Sequence, residues 1–286
     1  MPVEFKAYKI NLRACTMEVR TTLVRLTLSL LLGSEAAVGA DFNKGLDAYS
    51  SGDHQTALSE WEPLAENGNA KAQYNLGLLY RLGKSVSQND RTAVKWYTLA
   101  AQQGSVEAQF NLGFMYDYGH GVPENDSTSV KWYTLAAQQG HAQAQSNLGV
   151  MNRLGEGVPQ NDKVAIKWYT LAAAQGLADA QNNIGVMYYD GTGVPQNYEL
   201  AVKWYTLAAQ QGLAEAQLNL AHMLRLGRGV SIDYVRSYMW YNLSAYNNHQ
   251  LGVTYKAEMA ELMAYAEITK AQNMSSHCLR NNYMRC

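Results

Sequence analysis

The chain repeats one ten-residue segment at a fixed interval. The segment Lys-Trp-Tyr-Thr-Leu-Ala-Ala-Gln-Gln-Gly fills residues 95–104, and it returns almost unchanged at 131–140, 167–176 and 203–212. The tryptophans Trp96, Trp132, Trp168, Trp204 and Trp240 follow one another at intervals of 36 residues, and Trp61 lies 35 residues before Trp96. A period of about 20 to 50 residues indicates stacked units that cannot bury their apolar faces alone. The sequence therefore predicts a repeat protein.

Each repeat is predicted to form two helices, called helix A and helix B in chain order. In the second repeat, Ala108, Leu112 and Tyr116 give helix A an apolar face at helical spacing. Glycine within a helix costs roughly 1 kcal/mol relative to alanine, yet it returns at 77, 113, 149 and 185, with Ala221 in the fifth repeat. This return predicts close packing at that position. Helix B carries the Lys-Trp-Tyr segment, and we assign all six tryptophans to the core.

A defined turn joins the two helices of a repeat. Residues 119–123 read Gly-His-Gly-Val-Pro, with relatives at 155–159 and 191–195. Glycine supplies left-handed backbone angles and proline fixes its own φ. Asn125, Asn161 and Asn197 then stand where an asparagine caps helix B. Glycine at 140, 176 and 212 suits its C-terminal end.

The repeats divide the chain into four segments. Residues 1–40 are expected to form an N-terminal signal region, and 41–68 are expected to form a capping helix pair around Trp61. Five repeats occupy 69–247. Residues 248–286 are expected to form a C-terminal capping helix and a tail that is irregular from 273 onward.

Composition and charge exclude some kinds of partner and chemistry. The formal net charge is −1 and no run of like charges occurs, which argues against nucleic-acid binding because that needs a clustered basic surface. The six histidines share no metal-ligand spacing, and no Gly-x-Ser-x-Gly or Ser-x-x-Lys motif occurs. We therefore expect no catalytic residues, no metal and no cofactor.

The first 40 residues have the pattern of a secretory signal. Arg20 and Arg25 precede the apolar run 26–32, and Val-Gly-Ala at 38–40 is a signal-peptidase pattern that predicts cleavage after Ala40. The run is too short to span a membrane. Met17 is an alternative start, and an uncleaved N-terminal arm is the alternative interpretation. A signal would place the protein in the periplasm or outside a bacterial cell.

Two cysteines remain beyond the signal region. Cys278 and Cys286 would close a small disulfide loop in an oxidising compartment. The alternative is a pair of free thiols on the tail.

The repeated motifs resemble a known family. Ala-x-Ala-Gln-x-Asn-Leu-Gly-x-x-Tyr, Gly-x-Gly-Val-Pro and Ala-Val-Lys-Trp-Tyr-x-x-Ala-Ala, in that order, are similar to the Sel-one-like repeat (SLR) family over residues 69–247. The resemblance implies an all-α fold, a right-handed α-solenoid of antiparallel, tetratricopeptide-like helix pairs with capping helices. It also implies a protein-interaction scaffold in which helix A lines a concave groove.

Residues that differ between repeats on one face of helix A are the candidate binding residues. Positions fixed in every repeat serve the stacking that all repeats share, whereas variable positions on one face are free to contact a partner. The candidates are Tyr74, Leu78, Arg81, Phe110, Phe114, Asp117, Arg153, Tyr189, His222 and Arg225. The alternative for Phe110 and Phe114 is packing against the neighbouring repeat.

Two functions fit these patterns. The favoured function is binding of an unidentified protein or peptide partner through helix A, without catalysis. The alternative is binding or β-lactamase-like hydrolysis of a cell-wall-related small molecule, as the resemblance implies for a cysteine-rich branch of the family. That branch has a cysteine pair in each repeat, and this chain has none between residues 41 and 277.

Overall fold

A computed structural model describes residues 39–283 and 286, so residues 1–38 of the expected signal region 1–40 lie outside the described residues. Within the described part the secondary structure is entirely helical. The fourteen helices are α1 (Phe42–Ser50), α2 (His54–Glu66), α3 (Ala70–Leu82), α4 (Asp90–Gln102), α5 (Val106–Asp117), α6 (Asp126–Gln138), α7 (Ala142–Leu154), α8 (Asp162–Ala174), α9 (Ala178–Asp190), α10 (Tyr198–Ala209), α11 (Ala214–Leu226), α12 (Tyr234–Tyr246), α13 (Gln250–Leu262) and α14 (Tyr265–Arg280). Over residues 39–283 and 286, none of the helices is both long and apolar enough to cross a membrane.

The chain forms two compact units, and their boundary falls after Ala108, near the start of α5. In the first unit, α1 packs on α2, α2 on α3 and α3 on α4. Its core is built around Trp61, Leu76 and Leu79, each at most 1% exposed. The Trp61 indole donates a hydrogen bond to the Phe42 carbonyl at 3.2 Å, which ties α2 to the start of α1.

The second unit begins at Gln109 and contains most of the helix pairs. From α6 onward each helix packs against the next as far as α13, and α14 packs against α12. The all-α architecture of consecutive helix pairs predicted from the period is therefore confirmed within each unit.

The glycine fixed in helix A is the contact point for a tyrosine of helix B. A Cβ added to Gly77 would lie 2.7 Å from the Tyr97 ring, and one added to Gly113 would lie 2.6 Å from the Tyr133 ring. The equivalent pairs are Gly149 with Tyr169 and Gly185 with Tyr205. The predicted packing need at this glycine is thus confirmed, and its partner is the tyrosine of Lys-Trp-Tyr.

The assignment of all six tryptophans to the core is wrong for four of them. Trp61 and Trp240 are 1% and 4% exposed, whereas the tryptophans at 96, 132, 168 and 204 are only partly buried. Successive helix residues point about 100° apart, and the following tyrosine takes the inward direction at 0–3% exposure. Trp96 and Trp204 instead pack at the edges of core clusters.

A buried glutamine of helix A joins neighbouring helices within each unit. The Gln145 side chain donates to the Ala137 carbonyl of the preceding helix B at 3.0 Å, and it accepts from Gln175 at 2.8 Å. The same paired bonds recur at Gln73 in the first unit and at Gln181 and Gln217 in the second, with Asn247 as the last donor. Each such glutamine is at most 6% exposed, so its polar atoms are buried with their partners.

The predicted caps and turns are present. Asn125, Asn161 and Asn197 each accept a backbone hydrogen bond at the start of helix B, at 2.8–3.1 Å. Both glycines of each predicted interhelical turn have positive φ, between 66° and 79°. The second of them also permits a close contact between repeats, because a Cβ on Gly193 would lie 2.7 Å from backbone atoms of Asp162.

The C-terminal region is more helical than expected. The predicted irregular tail from residue 273 is wrong as far as Arg280, since α14 continues to that residue. The reason is tertiary packing. Ala271, Ser275 and Cys278 are buried at 0–1% exposure, and Ser275 donates to the Met239 carbonyl at 3.3 Å.

Candidate functional site

All ten candidate residues of helix A are partly buried, neither in the core nor fully exposed. Tyr74, Leu78 and Arg81 belong to the first unit, and the other seven belong to the second. Such partial burial is what a side chain at the edge of a packed helix face would show. It leaves part of each side chain accessible to a partner.

One row of positions along this variable face is buried in the later repeats. The positions equivalent to Tyr74 and Phe110 in the later repeats are Ser146, Asn182 and Leu218, and they are only 3–5% exposed. Variation between repeats at this row therefore reflects packing as well as accessibility. The accessible rows lie one and two turns further along helix A.

The two phenylalanines have aromatic neighbours on the protein. The Phe110 ring stacks on His141, the N-cap residue of α7, with centroids 4.3 Å apart, and lies 5.7 Å from the Tyr133 ring. Phe114 lies 4.6 Å from Tyr118 in its own repeat. Packing on a neighbouring repeat thus describes Phe110 better than Phe114.

Two cavities open between successive A helices of the second unit. The first, here called the acidic cleft, has a volume of about 330 Å³. Its lining residues are Asp117, Tyr118, Glu124, Asp126, Asn147, Val150, Met151 and Glu156. The second, here called the tyrosine cleft, has a volume of about 410 Å³. Its lining residues are Val186, Tyr189, Asp190, Tyr205, Asn219, His222, Met223 and Leu226.

The pKa of Asp117 reflects partial burial and the negative charge of the acidic cleft. Its carboxylate accepts a hydrogen bond from the buried Tyr133 hydroxyl at 3.1 Å. Partial burial raises the pKa of Asp117, and the nearby charges of Asp126, Glu156 and Glu124 raise it further, against the effect of that hydrogen bond. The cleft therefore concentrates negative charge.

His222 stands at the C-terminal side of the tyrosine cleft. Its Nδ1 lies 2.7 Å from the Tyr241 hydroxyl, and its ring meets Tyr255 edge-on at 4.6 Å. Burial, together with the charge of Arg225, lowers the pKa of His222 to about 4. The imidazole is therefore uncharged at neutral pH.

Two arginines near this cleft are already engaged. Arg225 pairs with Glu258 at 3.5 Å and lies over the Tyr255 ring at 5.3 Å. Arg228 donates a hydrogen bond to the Tyr189 hydroxyl and lies over the Tyr189 ring at 5.4 Å. Tyr189 is thereby held in place at the cleft wall.

Arg153 lies at the end of α7, and its surroundings differ from those of the two clefts. Its Nε atom and the Tyr169 hydroxyl are both buried without a hydrogen-bond partner among the described residues. Burial raises the pKa of Tyr169 to about 12, partly offset by the positive charge of Arg153. The accessible row of helix A thus changes charge from repeat to repeat.

The cysteine pair borders a third cavity. Cys278 and Cys286 are placed as disulfide partners with Cα atoms 5.2 Å apart, and both line a cavity of about 530 Å³ beside α14. This geometry permits the bond, and its formation in the protein stays a prediction. Across residues 39–283 and 286, no group of three or more His, Cys, Asp or Glu side chains is arranged to hold a metal ion.

Several cleft residues were not among the sequence candidates. Asn147 and Asn219 occupy a position that is asparagine in all five repeats, and fixed positions were assigned to stacking. Met151 and Met223 occupy one that is methionine in every repeat but the first, which has Leu79. The loop and helix B residues that line the acidic cleft, such as Glu156, lie outside helix A. The available signal was the excess of acidic residues that follows helix A in the second and third repeats, which includes Glu124, Asp126 and Glu156.

The fold and the accessible helix A face define a helical-repeat scaffold. The Sel1 repeat profile matches residues 70–105, 106–141, 142–177, 178–213 and 214–249. The chain therefore belongs to the Sel1 repeat (SLR) family, as its motifs predicted, and it has the SLR type of helix-pair fold. Sel1 repeats are typical of protein–protein interaction scaffolds.

Two solved structures are similar to this chain. A protective antigen of uropathogenic Escherichia coli strains that displays an SLR fold is 33% identical, with a TM-score of 0.75. The match covers 87% of this chain and 56% of the antigen, so the chain spans little more than half of the antigen's length. A Sel1 repeat protein from Oxalobacter formigenes is 35% identical, with a TM-score of 0.71, over 75% of this chain and 88% of that protein. No curated protein matches this chain.

Proposed function

We propose that this chain is an exported, non-catalytic scaffold that binds a protein or peptide partner through the variable face of helix A. The observation that carries the proposal is the pair of clefts between successive A helices. Their walls share asparagine and methionine, at 147 and 151 in one and at 219 and 223 in the other. Their remaining lining differs, which is what recognition of different partner side chains requires.

Capture from native cell-envelope extract tests the binding surface. The immobilised chain is compared with the variants Asp117→Ala and Tyr189→Ala, and with Lys203→Ala as the matched control on the exposed side of α10. We expect a retained partner that both helix A variants lose and the control keeps. Retention by all four proteins with equal yield would overturn the helix A assignment.

Absence of catalysis is part of the proposal and has a direct assay. Purified protein is incubated with a chromogenic β-lactam and with peptidoglycan fragments. We expect no turnover of either compound. Turnover that survives repurification and is lost on substitution of a cleft residue would replace the scaffold proposal by the hydrolase alternative.

Export is supported by the junction between the signal region and α1. Asp41, the residue after the expected cleavage site, caps α1 through its side chain. Its backbone nitrogen donates to the Glu60 carboxylate at 2.7 Å, and Glu60 is only 8% exposed. Cleavage after Ala40 would turn this nitrogen into a charged amino group against that carboxylate, a stronger charge-assisted bond. N-terminal sequencing of protein from the producing cell should begin at Asp41, and a chain that begins earlier would overturn export by this route.

A further inference from the structure

The acidic cleft and the tyrosine cleft are the same structural site two repeats apart. Asn147 and Met151 of the first occupy the repeat positions of Asn219 and Met223 in the second. The acidic residue and the tyrosine at the end of helix A exchange places: the order is Asp117-Tyr118 in one repeat and Tyr189-Asp190 in the other. Each cleft therefore has one carboxylate beside one tyrosine at its rim.

The floor of the tyrosine cleft contains a polar group without a partner. Tyr205 is 3% exposed, lines the cleft, and its hydroxyl has no hydrogen-bond partner among the described residues. The equivalent Tyr133 hydroxyl of the acidic cleft donates to Asp117. The Tyr205 hydroxyl is therefore available to a ligand in the cleft, whereas the Tyr133 hydroxyl is already engaged.

Two further oxygen-bearing side chains of the tyrosine cleft can accept hydrogen bonds. Asn219 donates its amide nitrogen to Asn182 at 3.0 Å, which leaves its carbonyl oxygen for a ligand. Asp190 has no ion pair within the described part of the chain, and no lysine or arginine lines either cleft. Val186, Met223 and Leu226 supply an apolar wall.

This arrangement fits the side chain of lysine. A lysine ammonium has three donors and no acceptor, and the cleft offers oxygen atoms of Tyr205, Asn219 and Asp190. The four methylenes of lysine suit the apolar wall. The acidic cleft has the same sign preference more strongly, since four carboxylates line it.

We propose that the acidic cleft and the tyrosine cleft bind lysine side chains of the partner protein. The proposal rests on the proposed function, because it names the partner chemistry that the helix A face would recognise. Contacts of an ammonium with Asp190 and the Tyr205 hydroxyl would hold the lysine at one cleft. The carboxylates around Asp117 would hold it at the other.

Fluorescence anisotropy with defined peptides tests the inference on the full chain. The probe is a fluorescein-labelled peptide of glycine, serine and four lysines, and its comparator carries norleucine in place of every lysine. Norleucine retains the apolar stem and lacks the ammonium. We expect the lysine peptide to bind at least tenfold more tightly, and equal affinities would overturn the inference.

Single substitutions locate the binding. Asp190→Asn and Asp117→Asn each remove one negative charge, and Tyr205→Phe removes only the hydroxyl. Glu199→Gln is the matched control, since it removes an exposed charge on helix B of the same repeat as Asp190. We expect three- to tenfold weaker binding for the cleft variants and no change for the control. Equal affinity of all four variants would show general charge attraction and overturn the two sites.

The outcome separates this inference from the proposed function. A partner captured through the helix A face together with lysine-independent peptide binding would overturn only the lysine assignment. Loss of lysine binding in the cleft variants, with circular dichroism spectra identical to that of the unmodified chain, supports it. A Tyr205→Phe protein with full affinity would contradict the role of the hydroxyl, even where the carboxylate variants respond.

Discussion

A β-carbon on Gly77 would lie 2.7 Å from Cδ1 and Cε1 of Tyr97, closer than non-bonded carbon atoms approach. Tyr97 is fully buried and belongs to helix B of the same repeat. The glycine therefore permits the contact between helix A and helix B on which the repeat is built. The same pair recurs in three later repeats.

Gly77→Ala should destabilise the chain by about 1–3 kcal/mol, because overpacking outweighs the gain in helix propensity. Thermal unfolding monitored by circular dichroism at 222 nm measures the loss. Gly104→Ala provides a separate comparison for backbone strain without a steric contact, because Gly104 has a φ of 90° and open space around the added methyl, whereas Gly77 lies inside α3. Adding Tyr97→Leu to Gly77→Ala should restore part of the stability, and a double variant no better than the single would contradict the steric explanation.

Gln145→Leu should cost about 1–3 kcal/mol, because it leaves the Ala137 carbonyl without its side-chain donor and removes the acceptor of Gln175. Gln175→Leu breaks only the second bond, at an exposed residue, and should cost less than half as much. Urea unfolding of both variants gives the comparison. Equal free-energy costs for the two variants would show that the stabilisation comes from the exposed hydrogen bond between Gln175 and Gln145.

His222 should make stability depend on pH below neutrality. Its pKa is lowered from 6.5 to about 4, so the folded state holds fewer protons than the unfolded state. Its contribution is present above pH 6.5 and is lost as the pH falls towards 4, with a total on the order of 3 kcal/mol. Around it, Tyr241, Tyr255, Arg225 and Glu258 are the other ionisable groups.

The variant His222→Gln isolates this contribution. The difference in unfolding free energy between the two proteins should change between pH 7 and pH 4 and stay constant above pH 7. A pH-independent difference would show that burial of the imidazole has no such effect.

Glu60→Gln should lower the melting temperature of a chain that begins at Asp41 by about a few degrees. The Lys44 ammonium at 2.6 Å and the Asp41 nitrogen both stabilise the charged form, so the pKa of Glu60 is lowered. This stabilisation is present above the ordinary carboxyl pKa and is lost as the pH falls through the lowered value. A chain beginning at Gly39 lacks the charged amino group at Asp41, so the substitution should have a smaller effect there. Equal effects in the two chains would contradict a docked amino terminus.

The sequence predicted the helices well and the inward-facing aromatic residue poorly. Adjacent Trp96 and Tyr97 are both large and apolar, and both return with the same period, so periodicity cannot tell which of them points inward. The contact with Gly77 decides this in favour of tyrosine. The helical end of α14 was missed for a similar reason, since Ser275 and Cys278 become buried only against α12.

The assignment of the helix A residues to partner binding stays a prediction. Variation between repeats singled out Asp117, Tyr189 and His222, which line the two clefts. It could not show that Ser146 or Asn182 is buried, nor that the fixed Asn219 reaches a cleft. Accessibility depends on the neighbouring repeat, which a comparison of repeats position by position does not contain.

The sequence by itself determined the repeat, its two helices, their caps and their turns, because each of these depends on contacts within about one repeat length. The tertiary structure decided which of two neighbouring aromatic residues is buried. It also decided which variable residues stay accessible and where acceptors converge in a cleft. Those properties depend on distances between packed helices, within one repeat for the aromatic residue and between successive repeats for the clefts, and the periodicity of the sequence does not contain such distances.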